Sequence, residues 1–335
     1  MYVVENKNTR PQFNLALEEH LCLRLRAMND GSQFFMLWQN EPSIIVGRFQ
    51  NTYEEIDSGF VREHGIHLVR RNSGGGAVYH DLGNLNYSFI MPDSGDLDFA
   101  FFTGPIIRAI TSLGAVAEPS GRNDILIGGK KISGGAQFRR NGVTLHHGTL
   151  LYDTDLDVLS SALRPAEDKF HSKAVKSVRS RVGNIKPHLP EPMPMLEFQE
   201  RITRAVEEST PLAMQPLQPW APDAFALEEA ERLAREKYSA WEWNYGSSPQ
   251  FTERKKMRFP WGSVEALLLI NEGKIARCSF YGDYFGSGDY AQLMSRLTGA
   301  AYTRESVAAA IADLDPSGIF AGSAPEDIID LLAPE

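Results

Sequence analysis

The chain has 335 residues, a length that predicts two domains. Apolar residues make up 42% and charged residues 23%, the balance of an ordinary globular protein. The 34 basic and 43 acidic residues leave a net charge of −9, which argues against a nucleic-acid-binding protein, since phosphate backbones are bound by clustered Lys and Arg.

The first half of the chain predicts two helices and a series of short strands. Residues 14–28 carry leucines at helical spacing after Asn14, the expected N-cap, and residues 99–113 repeat an apolar helical pattern. Short β-type runs occupy residues 34–38, 43–47, 66–70, 77–80, 84–91, 125–127, 131–139 and 143–153. The pairs Gly128-Gly129 and Asn141-Gly142 are typical of tight hairpin turns. Hairpins covered by helices indicate an α+β fold.

The second half begins with a proline-dense stretch over residues 187–222. The pattern predicts helices at 196–208 and 223–240 and a linker at 241–251. Strands at 255–259, 263–270 and 274–281 then precede helices at 289–297, 303–313 and 325–332. We therefore expect a first domain over residues 1–247 and a small second domain over residues 248–335.

A glycine-rich loop lies between two predicted strands, in RRNSGGGAVYHDLGN (70–84). Three successive glycines let backbone N–H groups approach an anion. Arg70 and Arg71 stand at the entrance of the loop, where a guanidinium binds phosphate oxygens in pairs. The same residues also fit a flexible loop beside a solvated basic pair. No Gly-Lys-Ser/Thr follows the glycines, so the loop is not a Walker motif.

Two lysines and an aspartate lie in the next predicted hairpin, over residues 120–142. Lys130 and Lys131 are consecutive on a strand, so their side chains point to opposite faces of the sheet. A lysine on the inner face needs a partner for its charge, whereas an edge-strand lysine discourages aggregation, and the pattern fits both. Asp124 fits either a magnesium carboxylate or a turn residue.

Tandem histidines and a basic run are two further candidates. His146 and His147 also point to opposite faces of a strand and cannot bind one metal together, so we expect no zinc site. Residues 169–186 contain seven basic side chains and no acid: Lys169, His171, Lys173, Lys176, Arg179, Arg181 and Lys186. This run predicts contact with an anion, such as a nucleotide phosphate or an acidic partner, or a solvated mobile loop.

Taken in order, these segments resemble the lipoate–protein ligase A family. The similar blocks are FNLALEEH (13–20), VGRFQN (46–51), RRNSGGGAVYHDLGN (70–84), SGRNDI (120–125), KKISGGA (130–136), HHGTLL (146–151), SVRSRVGN (177–184) and WEWNYG (241–246). FTERKKMRFPWG (251–262) resembles the start of that family's small C-terminal domain. The resemblance implies a mixed-sheet catalytic domain, shared with biotin–protein ligases, and an α+β accessory domain.

The resemblance also implies an activity. Such an enzyme activates lipoate with Mg-ATP, releases pyrophosphate and holds lipoyl-AMP. It then transfers the lipoyl group to one lysine of a lipoyl domain, in the acyltransferase subunits of 2-oxoacid dehydrogenases or in the glycine-cleavage H protein. ATP with Mg²⁺ and lipoate are substrates here, and no tightly bound prosthetic group is expected.

By resemblance, Lys131 is the central cation, between the lipoyl carboxylate and the α-phosphate. The other residues expected to bind ATP or the adenylate are Arg71, Gly76, Ala77, Val78, Tyr79, Asn84, Asp124, Ser177 and Arg179, with Asp124 also a Mg²⁺ ligand. Those expected to bind lipoate are Arg71, Ser73, Gly74, Gly75, His80, Lys131 and His147, with Leu17, Val78 and Tyr79 along its apolar tail. Gly135 departs from the family's Ser-Gly-Ser-Ala pattern and removes a hydroxyl near the site.

The transfer step needs the acceptor lysine as a free amine. The motif blocks contain no evident general base for it, so desolvation and proximity are the expected drivers.

Two alternative functions stay open. A lipoyltransferase that uses preformed lipoyl-nucleotide and activates lipoate poorly has the same two domains. A non-catalytic nucleotide-binding protein predicts that Lys131→Ala leaves the biological activity intact. An octanoyltransferase is disfavoured because the motifs contain no cysteine, and a biotin ligase because the GRGRxGR loop is missing.

The sequence also indicates a compartment. Two cysteines, Cys22 and Cys278, are too few for a disulfide framework, which is typical of a reducing cytoplasm. The chain contains no evident signal peptide and no run of about 18 apolar residues, so we expect no membrane association. A monomer that binds no nucleic acid is the expected form.

Overall fold

The computed structural model describes residues 1–28, 30–93, 99–121, 123–163, 181–209, 217–245, 252–271 and 273–333. The chain forms two compact units. The N-terminal unit comprises Met1–Val46, Tyr53–Arg70 and Ala77–Asn244. The C-terminal unit comprises Tyr245–Glu335 and two segments from the first half of the chain, Gly47–Thr52 and Arg71–Gly76.

The predicted strands and helices are present in their predicted order, together with short strands at 2–4, 117–120 and 218–220 and short helices at 52–55, 58–63 and 156–162 that the sequence did not predict. The strands are β1 (Tyr2–Val4), β2 (Phe34–Trp38), β3 (Ser43–Val46), β4 (His67–Arg70), β5 (Val78–His80), β6 (Asn84–Pro92), β7 (Ala117–Ser120), β8 (Asp124–Ile127), β9 (Lys130–Arg140), β10 (Val143–Leu151), β11 (Gln218–Trp220), β12 (Glu253–Phe259), β13 (Gly262–Asn271) and β14 (Lys274–Tyr284). The helices are α1 (Pro11–Met28), α2 (Thr52–Glu55), α3 (Ser58–Glu63), α4 (Phe99–Ser112), α5 (Leu156–Ala162), α6 (Met195–Ser209), α7 (Ala224–Leu233), α8 (Trp241–Asn244), α9 (Ala291–Leu297), α10 (Arg304–Ile311) and α11 (Pro325–Leu332). A π-helical turn (Ala234–Tyr238) extends α7, and short 3₁₀ turns lie at Lys186–His188 and Pro316–Gly318.

An eight-stranded mixed sheet is the frame of the N-terminal unit, in the order β11-β1-β2-β6-β10-β9-β8-β7. β1 is parallel to both of its neighbours, and the other pairs are antiparallel. Both predicted hairpin turns are present, because Gly128, Gly129, Asn141 and Gly142 all have the positive φ that such turns require. The predicted α+β fold with a mixed sheet is confirmed.

The two faces of this sheet are covered by different helices. On one face, leucines of α1 pack with Met36 of β2 and Ile90 of β6, and the end of α7 joins this core. On the other face, α4 and α6 pack against the aromatic side chains of β2 and β6. The central strands β6 and β10 are therefore buried on both faces.

A second, three-stranded sheet in the order β4-β3-β5 has its own small core. Ile44, Val46 and Tyr79 pack there with residues of α3 and α5. In the C-terminal unit, the antiparallel sheet β12-β13-β14 packs with α9, α10 and α11, and Phe49 from the segment 47–52 belongs to the same core.

Two local predictions are wrong. α1 begins at Pro11, so Asn14 is not its cap but lies on its buried side, where its amide donates hydrogen bonds to the carbonyl oxygens of Asn8 and Gln39. The segment expected as a linker begins with the helical turn α8. This turn is held by Arg70, which is 174 positions away from Asn244 and so leaves no local signal in the sequence.

Arg70 acts as a structural residue in this arrangement. Its guanidinium donates to the carbonyl oxygens of Trp243 and Asn244, at 2.9 and 3.1 Å. Its backbone N–H donates to the side-chain oxygen of Asn244 at 2.8 Å. Arg70 is therefore not the solvated or phosphate-binding arginine that its position beside the glycines suggested.

Within the described part of the chain, no helix is both long enough and apolar enough to cross a membrane.

Candidate functional site

A buried polar strip crosses the sheet face that packs against α1. Its members are Asn84, Asn86 and Ser88 on β6 and His147 and Thr149 on β10. The strand register places His147 opposite Ser88 and Thr149 opposite Asn86, so the five side chains share one face. Buried polar groups among apolar neighbours lower stability unless they are bonded, so such a strip is a candidate binding surface.

Helix α1 adds a carboxylate to this strip. Glu18 is 2% exposed, and its Oε1 lies 3.0 Å from Nδ1 of His147. The Ser88 hydroxyl donates to the same oxygen at 2.5 Å, and the Trp38 indole N–H donates to Ser88 Oγ at 2.8 Å. These contacts fix the His147 ring with Nδ1 toward the carboxylate.

Glu18 lies within the FNLALEEH block but was not among the predicted site residues. Its spacing gave a usable signal, because Glu18 is three and seven positions before Leu21 and Leu25 and therefore shares their buried side of α1. An acid at such a position needs a buried partner.

Of the predicted residues, Asn84 belongs to the strip and His80 contacts it. His80 Nδ1 lies 3.0 Å from the side-chain nitrogen of Asn40 and 3.5 Å from that of Asn86. The Asn84 amide donates to Asn86 Oδ1 at 2.9 Å. The structure thus brings His80, which lies on β5 of the small sheet, against the face of the large sheet that carries Asn84 and His147.

Lys131 lies beside this strip and forms an ion pair with Asp124. Its Nζ is 2.8 Å from Asp124 Oδ1, and the two side chains are 38% and 31% exposed. A Cβ atom at Gly134 would lie 2.9 Å from Lys131 Nζ, so the ammonium lies directly over this glycine. The Gly134 N–H in turn donates to Thr149 Oγ1 at 3.2 Å, which connects the ion pair to the strip.

The neighbours of Lys131 on β9 explain two sequence observations. The alternation predicted one exposed and one inward lysine, and the structure leaves Lys130 exposed while Lys131 is half-buried with its acidic partner. A Cβ atom at Gly135 would lie 3.2 Å from the ring of His146, on the opposite face of the sheet. A serine hydroxyl at position 135 would therefore lie away from Lys131 and not near it as expected.

Arg71 organises the glycine-rich loop in the C-terminal unit. Its guanidinium donates to Ser73 Oγ at 2.9 Å and to the carbonyl oxygens of Gly74 and Gly76 at 2.7 and 2.8 Å. Gly75 has a φ of +91°, and its N–H donates to the Tyr284 carbonyl at 3.1 Å. The loop thus has a defined conformation, held by its own arginine.

The predicted apolar contributors lie in two different cores. Leu17 and Val78 belong to the core between α1 and the large sheet, while Ala77 and Tyr79 belong to the core of the small sheet. Burial raises the pKa of the Tyr79 phenol well above its usual value, and the charges of Asp81 and Asp155 act in the same direction. Tyr79 therefore stays protonated at neutral pH.

The second histidine of the tandem pair faces the opposite core. His146 stacks on Phe102 with ring centroids 4.6 Å apart, and its Nδ1 lies 3.0 Å from Gln137 Nε2. Burial lowers the pKa of His146 well below its usual value, and the neighbouring His147 adds to this effect. The two histidines occupy opposite faces of β10, as predicted.

Five of the seven basic residues of the run, Lys169, His171, Lys173, Lys176 and Arg179, lie outside the described residues, and so does Ser177. Lys186, which ends the run, is described and forms an ion pair with Asp153 at 2.6 Å. It therefore has an acidic partner within its own unit.

Asp124 and Asn84 carry side-chain oxygen atoms of the kind that a nucleotide-bound Mg²⁺ accepts as ligands. This ion is usually held by one or two carboxylates together with substrate phosphates. Asp124 offers one carboxylate, and the buried Oδ1 of Asn84 makes no hydrogen bond to any described residue. The described residues contain no cluster of three or more His, Cys, Asp or Glu side chains that would bind a metal alone.

Two family models match the chain. The model described as "Lipoyl protein ligase A/B catalytic domain" matches residues 10–207, and "Bacterial lipoate protein ligase C-terminus" matches residues 248–332. The chain is 41% identical to a lipoate–protein ligase of Bacillus subtilis, over 99% of this chain and 100% of that protein. It is 38% identical to lipoate–protein ligase 1 of Staphylococcus aureus, over 99% of both chains.

Solved structures agree with these matches. LipL1 of P. falciparum in complex with lipoate has a TM-score of 0.79 over 98% of this chain and 97% of its own, and its 23% identity supports the fold alone. A lipoate–protein ligase A bound with ATP has a TM-score of 0.65 and 28% identity, over 73% and 98% of the two chains. A bi-partite lipoate protein ligase of Thermoplasma acidophilum, described with its E2 lipoyl domain, has a TM-score of 0.66 and 31% identity, over 74% and 97%.

Proposed function

The chain belongs to the lipoate–protein ligase family, and from this premise we propose that it joins lipoate to a lysine of a lipoyl domain in two steps. In the first, the lipoate carboxylate attacks the α-phosphate of ATP and pyrophosphate leaves. In the second, the acceptor lysine attacks the carbonyl carbon of lipoyl-AMP and AMP leaves. The ATP-bound relative supports the use of ATP, and the archaeal ligase described with its lipoyl domain supports the acceptor class.

The observation that carries this proposal is the position of the Lys131 ammonium. The first step brings two anions together, so the site must neutralise their repulsion. Lys131 provides a half-buried cation beside the polar strip, with Asp124 as its counter-charge. A half-buried cation in a fixed position attracts anions more strongly than a solvated one, because the surrounding dielectric is lower.

The remaining predicted residues have proposed roles around Lys131. We assign lipoate binding to His80 and His147, together with Arg71, Ser73, Gly74 and Gly75 of the glycine loop. Leu17, Val78 and Tyr79 are assigned to its apolar tail. The nucleotide is assigned to Gly76, Ala77, Val78, Tyr79, Asn84, Ser177 and Arg179, with Arg71 and Lys131. Asp124 and Asn84 would hold Mg²⁺, which reduces the negative charge of the phosphates when it is bound.

The functions of the two domains, the acceptor proteins and the cellular form of the enzyme are proposed on the same basis. Residues 1–247 carry the catalytic functions, and residues 248–335 form an accessory domain. The acceptors are the lipoyl domains of 2-oxoacid dehydrogenase complexes and the glycine-cleavage H protein. The enzyme acts as a cytoplasmic monomer and holds no prosthetic group.

The test is the intact mass of a lipoyl domain after incubation with the protein, lipoate and Mg-ATP. We expect a gain of one lipoyl group that requires ATP. Lys131→Ala should reduce the rate by at least about 100-fold, since it removes the central electrostatic contact. Lys130→Ala is the matched control, because this lysine is adjacent in sequence but exposed, and it should keep the wild-type rate.

Other outcomes would correct the proposal. A mass gain with synthetic lipoyl-AMP but none with ATP would identify a lipoyltransferase. No gain from either donor would refute both functions, and equal rates for Lys131→Ala and Lys130→Ala would refute the role of Lys131.

A further inference from the structure

We propose that Gly183 and Asn184 are positioning residues of the adenylation step, which act by fixing the backbone of Lys131. The inference rests on the proposed function, in which the Lys131 ammonium holds two anions together. It gives a role to the end of the SVRSRVGN block, whose described residues lie in the same unit as Lys131. Both residues act only through Lys131.

An irregular point in β9 determines the direction in which Lys131 points. Along the pairing with β8, Ser133 lies opposite Ile125. The next pair is Lys131 with Leu126, so Ile132 is an extra residue on β9 and forms a β-bulge. Such a bulge interrupts the regular alternation of side chains between the two faces of a sheet.

The bulge turns the Lys131 side chain to the face of the polar strip. In an unbroken strand, Lys131 would share the face of Gly135, which is directed at the ring of His146 and the core with α4. Instead, Ile132 belongs to that core, and the Lys131 ammonium lies over Gly134 on the other face. The position of the ammonium therefore depends on the backbone conformation at the bulge.

The neighbouring strand β10 leaves β9 before the position of Lys131 is reached. The pairing of β9 with β10 ends at Gly135 and Gly148. On its other side, β10 stays paired with β6 as far as Leu151. The backbone of β9 at the bulge therefore takes its hydrogen-bond partner on this side from another segment, since buried backbone groups need to be paired.

Residues 182–186 connect the two separated strands. On one side, this segment forms a parallel β-bridge with Lys131, and the Gly183 N–H donates to the Lys131 carbonyl at 3.0 Å. On the other side, the Ile185 N–H donates to the Leu151 carbonyl of β10 at 2.7 Å. The segment thus ties the backbone of Lys131 to the end of β10.

The side chain of Asn184 and the absence of one at Gly183 hold this segment in place. Asn184 Oδ1 accepts a hydrogen bond from the Thr154 N–H at 3.1 Å, and its amide donates to the Thr154 carbonyl at 2.9 Å. A Cβ atom at Gly183 would lie 3.1 Å from Cβ of Lys130, so a side chain there would push the segment away from β9. These two residues therefore set the position of the hydrogen bond to Lys131.

Adenylation is sensitive to the position of this cation. The ammonium has to meet the carboxylate and the α-phosphate together, and a misplacement of about 1 Å can slow a reaction by about 100-fold. Asp124 orients the ammonium at the end of a long side chain. The segment 182–186 fixes the backbone from which that side chain extends, so that fewer conformations have to be excluded when the substrates bind.

The experiment measures lipoate-dependent ATP–pyrophosphate exchange by the full chain, with kcat and KM for lipoate at saturating Mg-ATP. The variants are Asn184→Ala and Gly183→Val, each alone and combined with Lys131→Ala. Tyr152→Phe is the matched control, because the Tyr152 hydroxyl also forms two hydrogen bonds, with the backbone of Met193 at 2.5 and 3.2 Å. Thermal unfolding of every variant measures its stability.

We expect Asn184→Ala and Gly183→Val to lower kcat by about tenfold and to change KM for lipoate by less than about threefold, since a misplaced cation weakens contacts in the transition state. Tyr152→Phe should lower the melting temperature to a similar extent as Asn184→Ala and keep both kinetic constants. Added to Lys131→Ala, the Asn184→Ala substitution should change the remaining rate by less than about twofold, because its effect passes through Lys131.

Three results would overturn the inference. A wild-type kcat for both Asn184→Ala and Gly183→Val would exclude the positioning role, while the ligase function would stand. A further loss of about tenfold from Asn184→Ala in the Lys131→Ala protein would show a general structural role, since independent effects multiply. Wild-type protein without any exchange would refute the proposed activation step and this inference with it. If Asn184→Ala does not fold, Gly183→Val decides by the same criteria.

Discussion

The two adjacent histidines of β10 have opposite environments. His147 contacts a buried carboxylate, whereas His146 lies between aromatic rings of Tyr87 and Phe102. Burial among these groups lowers the pKa of His146 well below its usual value, so the folded protein keeps this ring neutral. The unfolded chain has no such constraint, and its histidines titrate near pH 6.5.

This difference predicts how stability depends on pH. Below about pH 6.5 the unfolded chain binds a proton at His146 that the folded chain does not, so the free energy of unfolding decreases by at most about 1.4 kcal/mol per pH unit. The variant His146→Gln cannot bind a proton at this position, either folded or unfolded. We expect the variant to be less stable than wild type at pH 7.5, because the buried packing is lost. The difference in the free energy of unfolding between the two proteins should be smaller at pH 5.0. Urea unfolding of both proteins at the two pH values measures this difference. A difference that does not change with pH would contradict the assignment of a neutral, buried His146.

Sequence reasoning at the residue scale succeeded where a simple alternation applied. The alternation predicted that His146 and His147 face opposite ways and that one of Lys130 and Lys131 is exposed, and the structure shows that the exposed lysine is Lys130. The spacing of Glu18 indicated a buried position on α1, but its partner could not be predicted, because only the fold brings β10 to that side of the helix. The prediction that Asn14 caps α1 was wrong for the same reason, since the hydrogen-bond partners of its side chain lie in other parts of the fold.

At the scale of elements, β10 has no exposed face and tolerates little change. Gly148 lies directly opposite Tyr87, and a Cβ atom at this glycine would be 2.4 Å from the Tyr87 hydroxyl oxygen. Tyr87 is fully buried in the core between the sheet and α4, so it has little room to move. The glycine is therefore required by packing.

Gly148→Ala should lower the free energy of unfolding by about 1–3 kcal/mol, the usual effect of overpacking a core. Gly318→Ala is the control, because a Cβ atom there meets nothing within 4 Å. Thermal unfolding of the two variants gives the comparison. Equal melting temperatures would mean that Tyr87 can move without lowering the stability, and that the close contact between Gly148 and Tyr87 has no energetic effect.

Elements whose signals are local were predicted well from the sequence. The turns at Gly128-Gly129 and Asn141-Gly142, and the strands that they join, follow from short motifs. α8 was missed because Arg70 holds it from another part of the chain. The polar strip was missed because it depends on the register between β6 and β10, which no single strand specifies.

At the scale of the whole molecule, the C-terminal unit includes pieces of the first half of the chain. Phe49 stacks on Tyr284 with ring centroids 4.8 Å apart, and the Gly282 N–H donates to the Phe49 carbonyl at 2.6 Å. Composition and spacing divide a chain only in sequence order, so they place the boundary at residue 248 and cannot assign such segments. That boundary stays a prediction for the catalytic and accessory functions.

The packing of Phe49 makes the role of its segment testable. Phe49→Ala removes a ring from the core of the C-terminal unit and should lower the stability of that unit by about 3–5 kcal/mol. We expect faster amide hydrogen exchange in β13 and β14, measured by mass spectrometry. Phe225→Ala removes the same ring from a side chain that is 64% exposed and should leave this exchange unchanged. If both variants exchange at the same rate, the C-terminal unit folds without residues 47–52, and its core is complete within residues 245–335. If only Phe49→Ala exchanges faster, the unit needs a segment from the first half of the chain for its own stability.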